Sequence, residues 1–157
     1  MRILVLHGPN LNRLGKRNPA VYGHTTSEQL MLSLQEQFAD VCFSYCQSNH
    51  EGVLIDTLQS ALEEREAFLC GDTESEPIAG VVFNPGGLCH NSVSLRDAVE
   101  DTVTTGIPVV EVHISDITKR ETFRQQSLLS DVCTASVIGQ GIQGYTEAIK
   151  IITHSGQ

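Results

Sequence analysis

Tryptophan is absent from this chain, aromatic residues make up only 5% of it, and its ten lysines and arginines are outnumbered by nineteen acidic residues. Each shortage excludes something. With a formal charge of −9 at pH 7 and no basic stripe, the surface repels nucleic-acid phosphates. Nor does it attract anionic substrates in general, so any anion site must be built locally from particular arginines and backbone amides. No apolar run reaches the ~20 residues of a membrane span. The amino terminus, MRILVLHGPN, enters a strand at once and lacks the apolar core of a signal peptide. The chain therefore reads as cytoplasmic, with neither membrane nor nucleic acid as a partner. The five cysteines (42, 46, 70, 89 and 133) form an odd set with no C-x-x-C pair. Most have apolar neighbours, so buried free thiols are expected, ahead of disulfides or a zinc site.

What is present is an alternation of strand and helix signals within a length of 157 residues, enough for one domain (1–157) that buries about 70% of its unfolded surface. RILVLH (2–7) is an apolar run typical of strands buried on both faces. Leu30, Leu34 and Phe38 then mark a helix, with Thr25 and Glu28 as a capping box. VCFSYC (41–46) alternates as a second strand. Ser48 and Glu51 offer another box before a helix with Leu54, Leu58 and Leu62 on one stripe. IAGVVFN (78–84), PVVEVH (108–113) and ASVIG (135–139) read as further strands. They are separated by a helix around 92–105, with Leu95, Val99 and Val103 inward, and followed by the closing helix IQGYTEAIKII. This order demands an α/β doubly wound parallel sheet with right-handed crossovers and helices on both faces. Five strands suit the flavodoxin-like order 2-1-3-4-5.

In such sheets ligands lie beyond the carboxyl ends of the strands, where the strand order reverses. The segments expected there are HGPNLNRLGKRNPAVYG, NPGGLCHNS and EVHISD, which are the most polar and turn-rich of the chain. The first is long enough for a lid, at about residues 16–25, with glycines 8, 15 and 23 as hinges. Tyr22 sits in it. A phenol ionises at about pH 10, so a tyrosine base at neutrality needs ~4 kcal/mol of help, which nearby guanidiniums such as Arg17 and Arg124 can supply. The alternative is that its ring merely caps the loop. Glu111 and His113 are two apart on a strand and so share a face. A carboxylate fixes an imidazole's tautomer, as a general acid requires. The pair also suits a structural ion pair or two metal ligands, although no third ligand stands at motif spacing. Asn84, His90 and the amides of a helix start near Asn91 could receive an anion. Asp97 lies ~200° around its helix from Leu95, pointing away from its own core. Arg13 and Arg120 read as solvated.

The blocks LVLHGPNLNRLGKRNPAVYG, VVFNPGGLCHNSVSLRDAV, PVVEVHISD, RETFRQQS and GQGIQGY together resemble the type II 3-dehydroquinate dehydratases, in order and over nearly the whole chain. The resemblance implies a flavodoxin-like subunit assembled as trimers into a homododecamer. It implies reversible dehydration of 3-dehydroquinate to 3-dehydroshikimate through an enolate, a step shared by aromatic biosynthesis and quinate breakdown, with no metal or organic cofactor. It makes Tyr22 the base, assisted by Arg17, and Asn10 a partner of the enolate. His113 becomes the acid, held by Glu111. Asn84, His90, Ile114, Ser115 and Arg124 become substrate contacts, and Asp97 a residue donated across the trimer interface. The other class with this activity uses a Schiff-base lysine, whereas Lys16, Lys119 and Lys150 all have surface contexts. Three positions depart from the family's habit: Asp116 replaces asparagine, Gly87 alanine and Cys89 threonine. A flavin- or nucleotide-binding module of this fold would need a Ser/Thr/Gly phosphate loop after strand 1, where Pro9 and Arg17 stand instead. A catalytically dead scaffold would be expected to lack Tyr22 or His113.

Overall fold

A computed structural model describes residues 1–18, 20 and 23–155. Its strands are β1 (Arg2–His7), β2 (Cys42–Gln47), β3 (Ile78–Asn84), β4 (Val109–His113) and β5 (Ala135–Ile138). Its helices are α1 (Ser27–Gln37), α2 (Glu51–Cys70), α3 (Val93–Thr104) and α4 (Gln143–Ser155). All strand pairs are parallel, in the expected order β2-β1-β3-β4-β5.

The period of two in the strands sorts the core into two layers. Ile3, Val5, Val82, Val110 and Val112 face α1 and α4, where they meet Leu30, Leu34, Tyr145 and Ile149. Leu4, Leu6, Val81, Phe83 and Val109 face α2 and α3, where they meet Leu54, Leu58, Leu95 and Val99. Because both faces are covered, β1 reads as an unbroken apolar run. Each such side chain contributes roughly 1.5–3 kcal/mol on burial. Sheet and helices are thus anchored on two sides, and the loops at the strands' carboxyl ends are left to do chemistry.

Local details differ from the sequence reading. The α1 capping box is made by Thr26 and Gln29, one residue later than Thr25 and Glu28. Ser48 and Glu51 form no box at α2: its N-cap is His50, which makes no side-chain cap, while Ser48 Oγ accepts from the His50 amide at 2.9 Å. In α3 the residue buried completely in the last turn is Thr102, which satisfies its hydroxyl by donating to Ala98 O; Val103 is half-buried. Cysteine burial was expected too widely. Cys42 and Cys70 are exposed, Cys46 and Cys133 are intermediate, and Cys89 alone is buried, all five being free. Short apolar neighbours in sequence do not guarantee burial at an edge strand or a helix end.

Candidate active site

The loops after β1, β3 and β4 converge, as the strand-order reversal requires. They enclose a cavity of about 210 Å³ reached by Asn10, Arg17, Asn84, His90, His113, Ile114, Ser115 and Arg124. Ligand sites commonly measure ~300–1,000 Å³, so this one suits a single small ring rather than a nucleotide or flavin. Tyr22, together with Pro19 and Val21 of the expected lid, lies outside the described residues.

Two glycines bring the first two loops together. The Gly8 amide donates to Asn84 O at 2.7 Å, and a side chain at Gly8 would meet Pro85 O at 2.4 Å. Gly86 has φ +60, and its missing side chain leaves room for Pro9 O. Gly8 is therefore needed for close approach rather than as the expected hinge. Asn10 adopts φ 69, a left-handed conformation that asparagine tolerates, and its amide donates to Asn49 Oδ1 at 2.9 Å. Asn49 follows β2 and carried no sequence signal for this task. Asn84 is fixed at both ends of its amide: Nδ2 donates to Tyr145 Oη at 2.9 Å, and Oδ1 accepts from the Gly86 amide at 3.2 Å. Tyr145, fully buried on α4, also escaped the sequence reading, although its spacing from Ile149 and Ile152 placed it on the inward stripe.

Glu111 and His113 meet as the strand geometry requires, with His113 Nε2 2.7 Å from Glu111 Oε1. An ionised carboxylate only accepts, so Nε2 carries the hydrogen and Nδ1 is the nitrogen left for chemistry. Glu111 is 0% exposed, an expensive place for a charge. Ser127 Oγ donates to Oε1 at 2.6 Å, while Ser130 and Ser136 donate to Oε2 at 2.6 and 3.1 Å. Burial alone would push this carboxyl up, but the bonds from His113, Ser127 and Ser130 outweigh it, and Glu111 ends below its ordinary range. The three serines come from the stretch after Arg124 and from β5. Each is an unremarked hydroxyl in sequence, and only the fold collects them on one carboxylate.

The same stretch orients the neighbouring histidine. His90 Nδ1 lies 2.9 Å from Gln126 O, and the Leu128 amide donates to Cys89 O at 2.7 Å. The α3 start is not the anion receptor that the sequence suggested: its cap Ser92 accepts from the Leu95 amide and donates to Glu51. The cavity is reached instead by Gly86, Gly87 and His90 of the preceding short 3₁₀ turn.

Arg13 and Arg120 both line the cavity beside Arg17 and Arg124; Arg13 is exposed, as the sequence reading expected, and Glu121 pairs with Arg120 and Arg124 at 3.5 Å. Arg120 also donates to Ser115 Oγ at 3.5 Å. Asp116 is not among the residues that line the cavity: its carboxylate accepts from Thr118 Oγ1 at 2.6 Å and pairs with Lys119 at 3.1 Å. No lysine lines the cavity among the described residues. Asp97 is exposed on α3 and is not brought to the cavity within the single chain. No third metal ligand stands at motif spacing in the sequence, but the fold brings one close. Cys89 comes from the β3 loop to Glu111 and His113, and ligand atoms of all three lie within 4.8 Å of one another. The thiol is held protonated, since burial, then the Glu111 charge, push it up to about 12.

Behind the cavity His7 is 0% exposed. Its Nδ1 lies 3.2 Å from Tyr45 Oη, its Nε2 has no hydrogen-bond partner among the described residues, and burial lowers it from 6.5 to about 4. Folded His7 therefore stays neutral while the unfolded chain takes up a proton as pH falls through ~6.5. Conformational stability is expected to be level above that pH and to fall, by about 3 kcal/mol in all, as pH drops towards 4. Urea midpoints measured across this range check it: His7→Asn should remove that part of the slope, and an unchanged slope would show His7 uninvolved.

Comparison with known proteins agrees with this geometry. The family model "Dehydroquinase class II" matches residues 1–153. A 3-dehydroquinate dehydratase of Bacillus pumilus is 45% identical over 155 residues, covering 98% of this chain and 95% of that protein. A catabolic 3-dehydroquinase of Phaeosphaeria nodorum is 47% identical over 150 residues, covering 94% and 88%. The crystal structure of the type II dehydroquinase from Butyrivibrio crossotus superposes with a TM-score of 0.82 at 38% identity, covering 98% of this chain and 97% of that one. Matched along nearly its entire length in sequence and in fold, the chain belongs to the class II dehydroquinase family.

Proposed function

We infer that the chain catalyses the reversible dehydration of 3-dehydroquinate to 3-dehydroshikimate through an enolate, within a single catalytic domain. The observation that carries this reading is the buried Glu111–His113 pair, bonded at 2.7 Å, at the wall of a small cavity lined by four arginines. The substrate offers what such a cavity can use: a carboxylate for the guanidiniums, a ketone whose neighbouring hydrogen can be removed, and a hydroxyl that must leave as water.

In this assignment Tyr22 removes the hydrogen beside the ketone, kept ionised by Arg17 under the lid. Asn10 supports the enolate oxygen, and enolate stabilisation and base act together because the hydrogen is weakly acidic. His113 delivers the proton on Nδ1 to the departing hydroxyl, while Glu111 holds Nε2–H and balances the imidazolium charge. Asn84, His90, Ile114, Ser115 and Arg124 hold the ring, and Arg13 and Arg120 join them at the anionic end. No step calls for a metal or organic cofactor.

Asp97 points away from its own core, which fits a residue serving the site of a neighbouring subunit in a trimer, with trimers assembling into a dodecamer. A cytoplasmic setting fits the free thiols. Purified chain mixed with 3-dehydroquinate should produce the ultraviolet absorbance of the conjugated enone. A preparation of the expected mass and secondary structure that produces none would overturn the reading.

A further inference from the structure

We propose that Cys89, Glu111 and His113 form a binding site for a thiophilic divalent cation, zinc above all, and that its occupation switches off the dehydration assigned to this cavity. Only the inhibitory half of the proposal rests on that activity. The three residues offer a thiol sulfur, a carboxylate oxygen and an imidazole nitrogen, the donor types from which zinc sites are made. All three are buried, and their ligand atoms lie within 4.8 Å of one another. Two of them share a strand and the third sits on the adjoining turn, so the sheet places the grouping: Glu111 and His113 by β4 and Cys89 by the turn after β3.

The fit needs small movements. Donors bound at zinc distances across a tetrahedral angle are ~3.3–3.7 Å apart. His113 Nε2 and Glu111 Oε1, now 2.7 Å apart, must separate by less than ~1 Å, and the sulfur must close by about 1 Å. The ion replaces the hydrogen that Nε2 shares with Oε1, one for one. Ser127, Ser130 and Ser136 can keep their bonds to the carboxylate, so the ligand remains oriented by its surroundings, as metal-binding carboxylates usually are. Charge balances as well. A divalent cation, a carboxylate, a thiolate and a neutral imidazole sum to zero, with the thiol proton released to solvent. The neutral imidazole then carries its hydrogen on Nδ1. A buried neutral cluster avoids the cost that an uncompensated ion would carry there. His113 lines the cavity while Cys89 and Glu111 are 0% exposed behind it, so the ion enters past the His113 ring.

Inhibition follows from the ligation. An imidazole bound through Nε2 keeps only its Nδ1 hydrogen, and losing that hydrogen would leave an imidazolate. It can no longer act as the acid. The dependence on Cys89 is particular to this chain, since threonine is the more usual family residue there and its hydroxyl is a poor zinc ligand.

The test uses the whole chain with cadmium as a spectroscopic probe and buffered zinc as the inhibitor. Wild type should develop the ultraviolet charge-transfer band of a cadmium–thiolate bond, and zinc should stop enone formation reversibly on adding a chelator. Cys89→Thr should lose the band, remain active, and need at least about a hundredfold more free zinc for inhibition. Cys89→Ala should behave alike should the threonine variant not fold. Cys42→Ser, Cys70→Ser and Cys133→Ser should each keep both the band and the inhibition. An undiminished cadmium band in the Cys89 variants, or equal zinc sensitivity, would overturn the site. A chain without dehydratase activity that still shows a Cys89-dependent band would overturn the functional reading and leave the cation site standing.

Discussion

Glu111→Gln is expected to lower kcat by roughly 10²–10⁴-fold, the span attributable to general acid–base catalysis, while KM changes little and the fold survives. The reason lies in the hydroxyls around the carboxylate. A serine hydroxyl can donate or accept, so the amide oxygen of glutamine can take the Oε1 place against His113 and Ser127. Its NH₂ then faces Ser130 and Ser136, which turn to accept. Geometry is kept, and only the negative charge is lost. Without that charge, the imidazolium of His113 has no anionic partner in a buried site. Glu111→Ala is the contrasting case. It leaves three serines and His113 Nε2 facing a void, with unsatisfied buried polar groups costing about 1–3 kcal/mol each, so a lower melting temperature is expected as well. A glutamine variant with unaltered kcat would show that the pair is merely structural.

The sequence made the sheet legible because its signals were redundant. The β1 run, the Leu54–Leu58–Leu62 stripe and the turn-rich segments after strands 1, 3 and 4 all pointed to one topology, and the crevice followed from it. Glu111 and His113 could be paired from strand periodicity alone. The serine cage could not, since Ser127, Ser130 and Ser136 have no periodic relation to Glu111 and meet it only when a loop and β5 fold over β4. Cys89 is similar: 22 and 24 residues separate it from Glu111 and His113 in the chain, a spacing that matches no motif. That Arg13 and Arg120 also line the cavity could not be read from sequence, because a flexible arginine in a polar segment looks the same whether it faces bulk solvent or a cavity. Family resemblance named Asn10, Asn84 and His90, but the atoms that hold them, on Asn49, Tyr145 and Gln126, belong to the fold.

Tyr22→Phe is expected to reduce turnover to the limit of detection, a loss of at least about 10³-fold within the range known for a general base, with secondary structure and assembly unchanged. The residues that line the cavity narrow the alternatives to this assignment, which the resemblance implies. Among the described residues lining it there is no carboxylate, and arginine and asparagine side chains are not bases at neutral pH. His113 is bonded to Glu111 and assigned above as the acid. That leaves His90, whose Nδ1 is engaged by Gln126 O and whose ring nitrogens lie 3.4 and 3.5 Å from the Cys89 sulfur. Between His90 and the tyrosine in the same loop as Arg17, the family resemblance favours the tyrosine. The substitution removes one hydroxyl and nothing else of size. Removal of the hydrogen beside the ketone can be followed apart from water loss by exchange with deuterated solvent, and the phenylalanine variant should abolish both. Should exchange persist in Tyr22→Phe and disappear in His90→Gln, the base would be His90, and the arginines would serve the carboxylate alone.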